Sequence, residues 1–342
     1  MPSLDDLIKD MNKSAKTEII QYGIPEYEHC TRIPFTSPRM NYCTFGGIPI
    51  GYLIEFFGEE HGGKTTTALD IVGNYQRMEN ARKVIYLDVE NRLDVEWATK
   101  LGVDVESLIT VKPTTQSAEE LFQFILDFVD TGEVGLFVMD SIPALSSEKE
   151  LEKQMGEVTV GGVSAPLTVF SRKVEKLCHK HRCTGIGINQ LRDKVGSMYG
   201  GTTTPGGRGW RHFCTVRMEF RQGSYIDENG KELSKSKADT PSGQVILMSM
   251  VKNSTCPPSR RTGSYTIRFD SGVDYIADLL DLAILYGIIE KKGAWFTVLD
   301  IETGEVIKDK LQGEHALHSY LEENGEILGL IDKQIMDKMS MS

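Results

Sequence analysis

The feature that most constrains the fold of this chain is a glycine-rich stretch at residues 58–65, which reads GEEHGGKT. It has the spacing Gly-x-x-x-x-Gly-Lys-Thr, in which the glycines let backbone N–H groups turn toward a phosphate. The apolar run YLIEFF at residues 52–57 precedes it, and a helical pattern at residues 64–78 follows it. A buried strand, a phosphate-binding loop and a helix in this order predict an α/β fold that binds a nucleoside triphosphate.

Strand and helix patterns then alternate along the chain. Strands are predicted at residues 84–87, 136–139 and 185–188, with helices at residues 118–129 and 167–181. This alternation predicts a mostly parallel central sheet that is covered by helices on both faces. Two later strands, at residues 244–252 and 264–269, have no helix between them, so we expect them to pair antiparallel.

Three regions are predicted from the changes of pattern. Residues 1–40 combine a helix, with Leu4, Leu7, Ile8 and Met11 at helical spacing, and a turn-rich linker. Residues 41–270 form the nucleotide-binding core. Residues 271–342 begin with a helix at 274–286 and continue as a small α/β domain.

Composition limits the class of protein. The formal net charge of −11 argues against indiscriminate coating of nucleic acid, although a local basic groove remains compatible with it. No apolar run reaches the roughly 18 residues that span a bilayer, and the N-terminus lacks a signal-peptide pattern. The six cysteines form no CxxC pair, which favours free thiols over disulfides or a zinc site. We therefore expect a cytoplasmic protein without a membrane partner.

ATP and Mg²⁺ are the expected cofactors of the glycine-rich stretch. Lys64 would reach the β- and γ-phosphates, and the Thr65 hydroxyl would bind Mg²⁺. Asp140 ends the apolar run at 136–139, where a P-loop fold holds Mg²⁺ through water. The loop residues expected to contact the nucleotide are Gly58, Glu59, Glu60, His61, Gly62, Gly63, Lys64, Thr65 and Thr66.

Hydrolysis of ATP also needs a group that orients or deprotonates water. Glu90 is the candidate, because it lies just beyond the strand at residues 84–87, and Asp88 is the nearby competitor. The alternative for either residue is a solvated carboxylate in a turn.

A second candidate site is the segment at residues 192–211, RDKVGSMYGGTTTPGGRGWR. Its glycines and threonines predict a long loop without a packed helix or strand, and such loops are commonly functional. Basic side chains would neutralise phosphates, and apolar ones could insert between bases. The alternative is a flexible surface loop. The candidate DNA contacts are Arg192, Lys194, Gly196, Met198, Tyr199, Gly200, Thr203, Gly206, Gly207, Arg208 and Arg211.

Several blocks of the chain together resemble the RecA family of bacterial recombinases. The matching blocks, in family order, are GGIPIGYLIEFFGEEHGGKTT, YLDVENRLDVEWATKLGVD, LFVMDSIPAL, INQLRDKVGSMYG and VKNSTCPPSRR. The resemblance implies a RecA-type ATPase core. It also implies that the protein forms helical filaments on single-stranded DNA and hydrolyses ATP in a DNA-dependent manner. Such a filament pairs the single strand with homologous duplex DNA and exchanges strands in recombination and repair.

The resemblance assigns further residues to the nucleotide. Glu90 matches the catalytic glutamate of the family, and Asp94 and Trp97 match positions that contact adenine. Ser141 follows the Mg²⁺ aspartate. A tryptophan can stack on a base, although a helix residue packed against the core is the alternative for Trp97.

The resemblance also implies coupling between ATP, DNA and the neighbouring subunit. Gln190 matches the residue that senses the γ-phosphate and relays its presence to the DNA loop. Lys252 matches a residue that reaches the ATP of the adjacent subunit. A first DNA loop corresponds to residues 155–164, and its candidate contacts are Met155, Gly156, Gly161 and Gly162.

The chain departs from the family pattern at several positions. Ser254 replaces the second interface lysine, for which Arg260 or Arg261 is the candidate substitute, and His212 replaces a residue that is usually aromatic. These departures favour a divergent member, with a phage genome as one source. The family also docks its N-terminal helix and linker on the adjacent subunit, and residues 33–35 (Ile-Pro-Phe) are the expected apolar anchor.

Two other functions remain open at this point. A hexameric DNA helicase can have the same core, and it would form closed rings and unwind duplex. A regulatory P-loop module that binds nucleotide and a protein partner would lack DNA-stimulated ATPase activity.

Overall fold

The computed structural model describes residues 3–15, 20, 31–153, 162–193, 202–234, 239–300 and 303–340. The chain divides into two compact units, Met1–Thr31 and Arg32–Ser342. The first unit contains helix α1 (Leu4–Ala15), which confirms the predicted N-terminal helix and buries none of its residues. Asn12 fastens the end of this helix, because its side-chain amide exchanges two hydrogen bonds with the backbone of Ile20.

The second unit contains the remaining elements. Its helices are α2 (Pro38–Thr44), α3 (Lys64–Gln76), α4 (Val95–Lys100), α5 (Ala118–Asp130), α6 (Glu148–Leu151), α7 (Ser164–His181), α8 (Gly207–Phe213), α9 (Tyr275–Leu285), α10 (Glu314–Glu323) and α11 (Gly325–Ser340), with a 3-10 turn at Ile142–Ala144. Its strands are β1 (Arg32–Ile33), β2 (Ile48–Pro49), β3 (Leu53–Gly58), β4 (Lys83–Asp88), β5 (Leu108–Val111), β6 (Val134–Asp140), β7 (Thr184–Gln190), β8 (Arg192–Asp193), β9 (Thr202–Thr203), β10 (Val216–Ile226), β11 (Glu232–Leu233), β12 (Gly243–Asn253), β13 (Thr262–Arg268), β14 (Gly272–Val273), β15 (Ile289–Lys292), β16 (Trp295–Leu299) and β17 (Val306–Gln312).

A ten-stranded sheet with the order β14-β13-β12-β10-β3-β7-β6-β4-β5 forms the core, and β11 pairs with β10. Neighbours from β10 to β5 run parallel, which confirms the mostly parallel sheet. β12 and β13 pair antiparallel, as predicted for two strands without an intervening helix. Because β3, β7 and β6 are neighbours, their carboxyl ends meet at one edge, where such sheets bind ligands.

Helices α5 and α7 pack on the same face of the sheet. A capping box between Ser117 and Glu120 begins α5, which satisfies backbone N–H groups at its first turn. Phe122 of α5 stacks on Phe170 of α7 with ring centroids 4.5 Å apart. Burying each such ring contributes about 1.5–3 kcal/mol, so the pair holds α5 and α7 against each other.

The expected docking of residues 33–35 on an adjacent subunit is wrong, because Ile33 and Phe35 belong to the core of their own chain. They are 0% and 3% exposed, and Ile33 pairs with Ile48 between β1 and β2. The Phe35 N–H also donates to the Asn41 side chain at 2.8 Å. The segment does make apolar contacts, as predicted, but these contacts lie within its own chain.

The C-terminal elements surround a hydrophobic cluster of their own, which includes Leu279, Ile289, Phe296, Leu317 and Ile331. β15, β16 and β17 form a separate antiparallel sheet beside α9, α10 and α11. This arrangement confirms the expected small α/β region, while the boundaries at residues 40 and 270 stay a prediction. Within the described residues, every helix is too short or too polar to span a bilayer.

The buried carboxyl of Asp70 on α3 gives stability a defined pH dependence. Asp70 accepts hydrogen bonds from Thr36 N at 3.0 Å and Asn74 Nδ2 at 3.2 Å, and burial raises its pKa to about 6 from its ordinary value of 3.8. Between these two values the unfolded chain has released a proton that the folded chain retains. The free energy of unfolding therefore falls as pH rises from about 4 to about 6, by about 3 kcal/mol.

Asp70→Asn should remove this contribution. We expect the free energy of unfolding of the variant minus that of the unaltered chain to be about 3 kcal/mol larger at pH 7 than at pH 4. Denaturant unfolding across this range measures it, with the exposed Asp127→Asn as control. Parallel stability curves for the unaltered chain and Asp70→Asn would show that Asp70 does not titrate in this range.

Candidate active site

The phosphate loop connects β3 to α3. Gly63 caps the helix in a left-handed conformation, with φ 83°. At Gly58, an added Cβ would lie 1.9 Å from the carbonyl oxygen of Phe220, so the approach of β10 requires glycine there. His61 also has a positive φ of 58°, which is uncommon for a residue other than glycine. The loop thus has the narrow, glycine-dependent shape that the sequence predicts.

Lys64 points its ammonium into this loop. Nζ donates to Gly58 O at 3.2 Å and to Glu59 O at 2.5 Å. Burial lowers the pKa of Lys64, while the nearby carboxylates, led by that of Asp140, oppose the shift. The loop therefore holds a desolvated positive charge, which attracts an anion more strongly than a solvated one does.

Thr65 and Asp140 face each other across the carboxyl ends of the strands. Thr65 Oγ1 donates to Asp140 Oδ2 at 2.8 Å, and Tyr86 OH donates to the same oxygen at 2.7 Å. Burial raises the pKa of Asp140, and these two donors oppose the shift. Side-chain oxygens in this position fit Mg²⁺, which keeps several waters and needs few protein ligands.

The two candidate carboxylates beyond β4 have different surroundings. Both oxygens of Asp88 accept backbone N–H groups at 3.0 Å, those of Arg92 and Leu93, so Asp88 shapes the following turn. Glu90 instead accepts from Ser141 Oγ at 2.6 Å and pairs with Arg92 at 2.9 Å. Because Ser141 follows Asp140, Glu90 lies at the candidate metal site, and the geometry favours it over Asp88.

Gln190 lies beside the start of the phosphate loop. In the parallel pairing of β3 and β7, Gly58 is opposite Gln190, and Leu191 N donates to Gly58 O at 3.3 Å. The neighbouring Asn189 donates to Glu55 at 2.9 Å and to Pro205 O at 3.0 Å. The strand that ends at Gln190 is therefore bonded to the phosphate loop and, through Asn189, to Pro205 in the segment predicted as the second DNA loop.

A cavity of about 480 Å³ opens on the phosphate loop. Residues 61–66 form one wall, and Tyr225, Pro241, Gln244 and Phe269 form the other. No residue of this second wall is among the predicted site residues. Phe269 ends a predicted strand, but no local pattern indicated that it would face the loop, and β10, which carries Tyr225, was not predicted.

The two candidate adenine contacts lie outside the lining of this cavity. Asp94 caps α4 by accepting the Trp97 N–H at 3.0 Å. Trp97 is half-buried against the core, and its Nε1 donates to Thr66 Oγ1 at 3.3 Å. The structure therefore brings Trp97 to the start of α3, whereas the Asp94 carboxylate is occupied by the helix cap.

The segment predicted as the second DNA loop is a loop over fewer residues than predicted, because residues 207–213 form helix α8. Gly206 begins it with φ 88°, and Trp210 is fully buried. An added Cβ at Gly187 would lie 2.3 Å from the Trp210 ring, so the indole packs directly over glycine on β7. Burial of this large side chain outweighs the weak helix propensity of Gly207 and Gly209.

Arg208 and Arg211, which were predicted in a loop, therefore lie in the first two turns of a helix. Arg211 donates to Gly207 O at 3.0 Å and to Thr203 Oγ1 at 3.1 Å, which ties the helix to the base of the loop. At that base, Arg192 pairs with Thr203 between β8 and β9. Of the first loop, Gly162 is described and has φ 41°. The remaining loop candidates, which lie outside the described residues, are Met155, Gly156, Gly161, Lys194, Gly196, Met198, Tyr199 and Gly200.

Lys252 and the two arginines near it have different surroundings. Lys252 Nζ donates to His212 O at 2.9 Å, at the last turn of α8. The Arg260 guanidinium lies 4.1 Å and 4.4 Å from the ring centroids of Tyr42 and Phe45. Arg260 is thus held within its own chain, whereas Arg261 is exposed. Of the two candidate substitutes for the second lysine, Arg261 is the more exposed.

This chain is similar to known proteins over nearly its whole length. The family model described as the RecA N-terminal domain matches residues 3–274, and that of the RecA C-terminal domain matches residues 277–340. Protein RecA of Clostridium perfringens is 34% identical over 297 residues, which is 86% of this chain and 78% of that protein. Protein RecA of Aquifex aeolicus is 32% identical over 91% of this chain and 84% of its own length. Protein RecA of Staphylococcus aureus is 32% identical over 99% of this chain and 93% of its own length. The chain belongs to the RecA family.

Proposed function

We propose that this protein is an ATP-dependent recombinase, which assembles on single-stranded DNA and exchanges it with a homologous strand of duplex DNA. The observation that carries the proposal is the pairing of Gln190 with Gly58, because it joins the phosphate loop to the segment that begins the second DNA loop. Membership of the RecA family supports it. No described feature favours the helicase or the regulatory module.

Each residue of the site has a distinct part in the proposed ATPase reaction. Lys64 holds the β- and γ-phosphates, and backbone N–H groups of the loop orient them. Thr65 and Asp140 would hold Mg²⁺, which when bound neutralises charge that develops on the phosphates. Glu90 orients the attacking water, and its carboxylate is held by a hydrogen bond from Ser141, the residue that follows Asp140 at the end of β6. The aromatic side chains of Phe269 and Tyr225, on the other wall of the cavity, are available to stack on the adenine of ATP.

ATP would control DNA binding through the strand that carries Gln190. A γ-phosphate that contacts Gln190 favours one arrangement of the loop over others, which is a population shift by differential contacts. Arg192 and Arg211 at the base of the loop supply positive charge for DNA phosphates. Release of phosphate after hydrolysis removes the contact with Gln190 and lowers the affinity for DNA. We also propose a cytoplasmic location for the protein.

We propose that filament assembly uses two exposed apolar surfaces. On α1, Leu4, Leu7 and Met11 are 65%, 46% and 52% exposed at helical spacing. On α5, Phe124 and Phe128 are 44% and 40% exposed and lie one turn apart. Exposed apolar patches of this kind mark interaction sites. A second copy of the chain would cover the α1 stripe with its α5 phenylalanines.

The paired variants Leu7→Ser/Met11→Ser and Phe124→Ser/Phe128→Ser should each raise the critical concentration for assembly by roughly 10-fold. Combining all four changes should add little, because both pairs remove the same contact. Light scattering with single-stranded DNA and an ATP analogue measures assembly. Val306→Ser, which removes an exposed apolar side chain elsewhere, is the control. Fully additive effects of the two pairs would contradict a shared contact.

Electron microscopy and strand-exchange assays test the main proposal. With an ATP analogue and single-stranded DNA we expect helical filaments, and with ATP we expect exchange with homologous duplex. ATP hydrolysis should rise when single-stranded DNA is added. Closed rings that unwind duplex without pairing strands would instead identify a helicase, and ATPase activity insensitive to DNA would identify the regulatory module.

A further inference from the structure

A buried hydrogen-bond chain connects strand β13 to the phosphate loop. The hydroxyl of Tyr265 lies 2.5 Å from Thr67 Oγ1, in the first two turns of α3. Thr67 Oγ1 lies 2.8 Å from Gly63 O, which also accepts the Thr67 N–H at 2.8 Å. Tyr265 is 3% exposed and Thr67 is 1% exposed, so solvent water does not compete for these bonds.

The number of hydroxyl protons determines which group donates and which accepts in these hydrogen bonds. A threonine hydroxyl carries one proton, and a backbone carbonyl can only accept. Thr67 therefore donates to Gly63 O, and the Tyr265 hydroxyl donates to Thr67. Burial raises the pKa of the Tyr265 phenol, which keeps it protonated and able to donate.

The carbonyl at the end of this chain orients a phosphate-binding group. The Gly63–Lys64 peptide is planar, so the Lys64 N–H points away from the Gly63 carbonyl. Two donors from Thr67 hold that carbonyl toward the body of α3, which directs the Lys64 N–H out of the N-terminus of the helix. This is the end at which a helix binds anions.

The same pair of strands also restrains Gly63 directly. An added Cβ at Gly63 would lie 2.9 Å from the side chain of Ile246, which is opposite Tyr265 in the pairing of β12 with β13. Ile246 thus limits movement of Gly63 by contact, and Tyr265 limits its rotation by hydrogen bonding. Both restraints reach the loop from strands far from it in the sequence.

We propose that Tyr265 is a positioning residue for the triphosphate, acting through Thr67 and the Gly63 carbonyl. The proposal rests on the nucleotide site proposed above. It assigns Tyr265 no contact with ATP. Loss of its hydroxyl lets the Gly63–Lys64 peptide rotate, so ATP binds more weakly while the chemical step on bound ATP continues.

The hydrogen bonds from Tyr265 through Thr67 to the Gly63 carbonyl are called the relay below. Binding of a non-hydrolysable ATP analogue with Mg²⁺, measured on the full chain, tests it. Tyr265→Phe and Thr67→Val should each weaken binding roughly 3- to 10-fold, as expected for one lost hydrogen bond. The double variant should be no weaker than the weaker single variant, because both changes interrupt one chain. Thr67→Ser keeps the hydroxyl and should bind as the unaltered chain does. In steady-state assays the KM for ATP should rise in Tyr265→Phe with little change in kcat.

Tyr75→Phe is the matched control for stability. Tyr75 is 4% exposed and accepts the Arg82 N–H with its hydroxyl oxygen, at the opposite end of α3. This variant should lower the melting temperature without changing analogue affinity. The relay is refuted if Tyr265→Phe binds within about two-fold of the unaltered chain, or if the effects of Tyr265→Phe and Thr67→Val multiply in the double variant. Absence of binding by the unaltered chain would refute the nucleotide site itself, and the relay with it.

Discussion

Lys64→Ala should abolish ATP hydrolysis and DNA strand exchange. The change removes the positive charge that the loop holds between Gly58 O and Glu59 O, at the place proposed for the β- and γ-phosphates. Loss of one preorganised group that stabilises charge in the transition state costs roughly 100- to 1000-fold in rate. ATPase rates with single-stranded DNA, and exchange between labelled strands, measure the effect.

The variant should remain folded, which separates lost chemistry from lost structure. Burial lowers the pKa of Lys64, so the folded chain pays for keeping this ammonium charged, and the alanine has no such cost. Circular dichroism should therefore show unchanged secondary structure. Lys83→Ala, at the exposed start of β4, serves as the control and should keep full activity. Normal hydrolysis by Lys64→Ala would mean that the site has been assigned wrongly.

Glu90→Gln should separate ATP binding from ATP hydrolysis. Glutamine has nearly the same shape and keeps an acceptor for the Ser141 hydroxyl, but it cannot act as a base. We expect hydrolysis to fall roughly 100- to 10,000-fold, the usual contribution of a general base. Binding of ATP and assembly on DNA should persist, so filaments formed with ATP should last longer than those of the unaltered chain.

Asp88→Asn provides the contrast that identifies the base. Asp88 holds the turn through the N–H groups of Arg92 and Leu93, and asparagine leaves one of them without its carboxylate partner. This variant should lower the melting temperature and reduce hydrolysis only as far as the turn is disturbed. If Asp88→Asn stopped hydrolysis in a stable protein while Glu90→Gln did not, Asp88 would be the base.

The parts of the site that could be predicted are those with a local sequence pattern. The phosphate loop follows its own strand, and Asp140 ends another apolar run, so both could be placed without knowing the sheet order. Distant partners gave no such signal. β10 does have a local pattern, because polar residues such as Arg217 and Glu219 alternate with its apolar ones, as in a half-buried strand. Its position beside β3 is what depends on the whole sheet.

The wrong loop boundary at α8 has a related cause. Glycines near residues 206–209 predict a break in regular structure, and only the packing of Trp210 over Gly187 makes a helix favourable there. No sequence pattern marks Tyr265 as a site residue either. Its strand was predicted, yet its contact with Thr67 depends on how β13 lies against α3. Contacts between elements that are remote in the chain, and not the elements themselves, limited the prediction.

The strand order of the central sheet also determines when an ATP site can exist during folding. β3 pairs with β7, although β4, β5 and β6 lie between them in the chain. Pairing at such sequence separation is slow, because chain entropy is lost before the contacts form. Lys64, Asp140 and Gln190 come together only after β3, β7 and β6 have paired, so a partly folded chain offers no complete site. ATP would therefore stabilise the finished sheet alone, by about 2.7 kcal/mol at a hundredfold excess over Kd, and could not act as a template for its assembly.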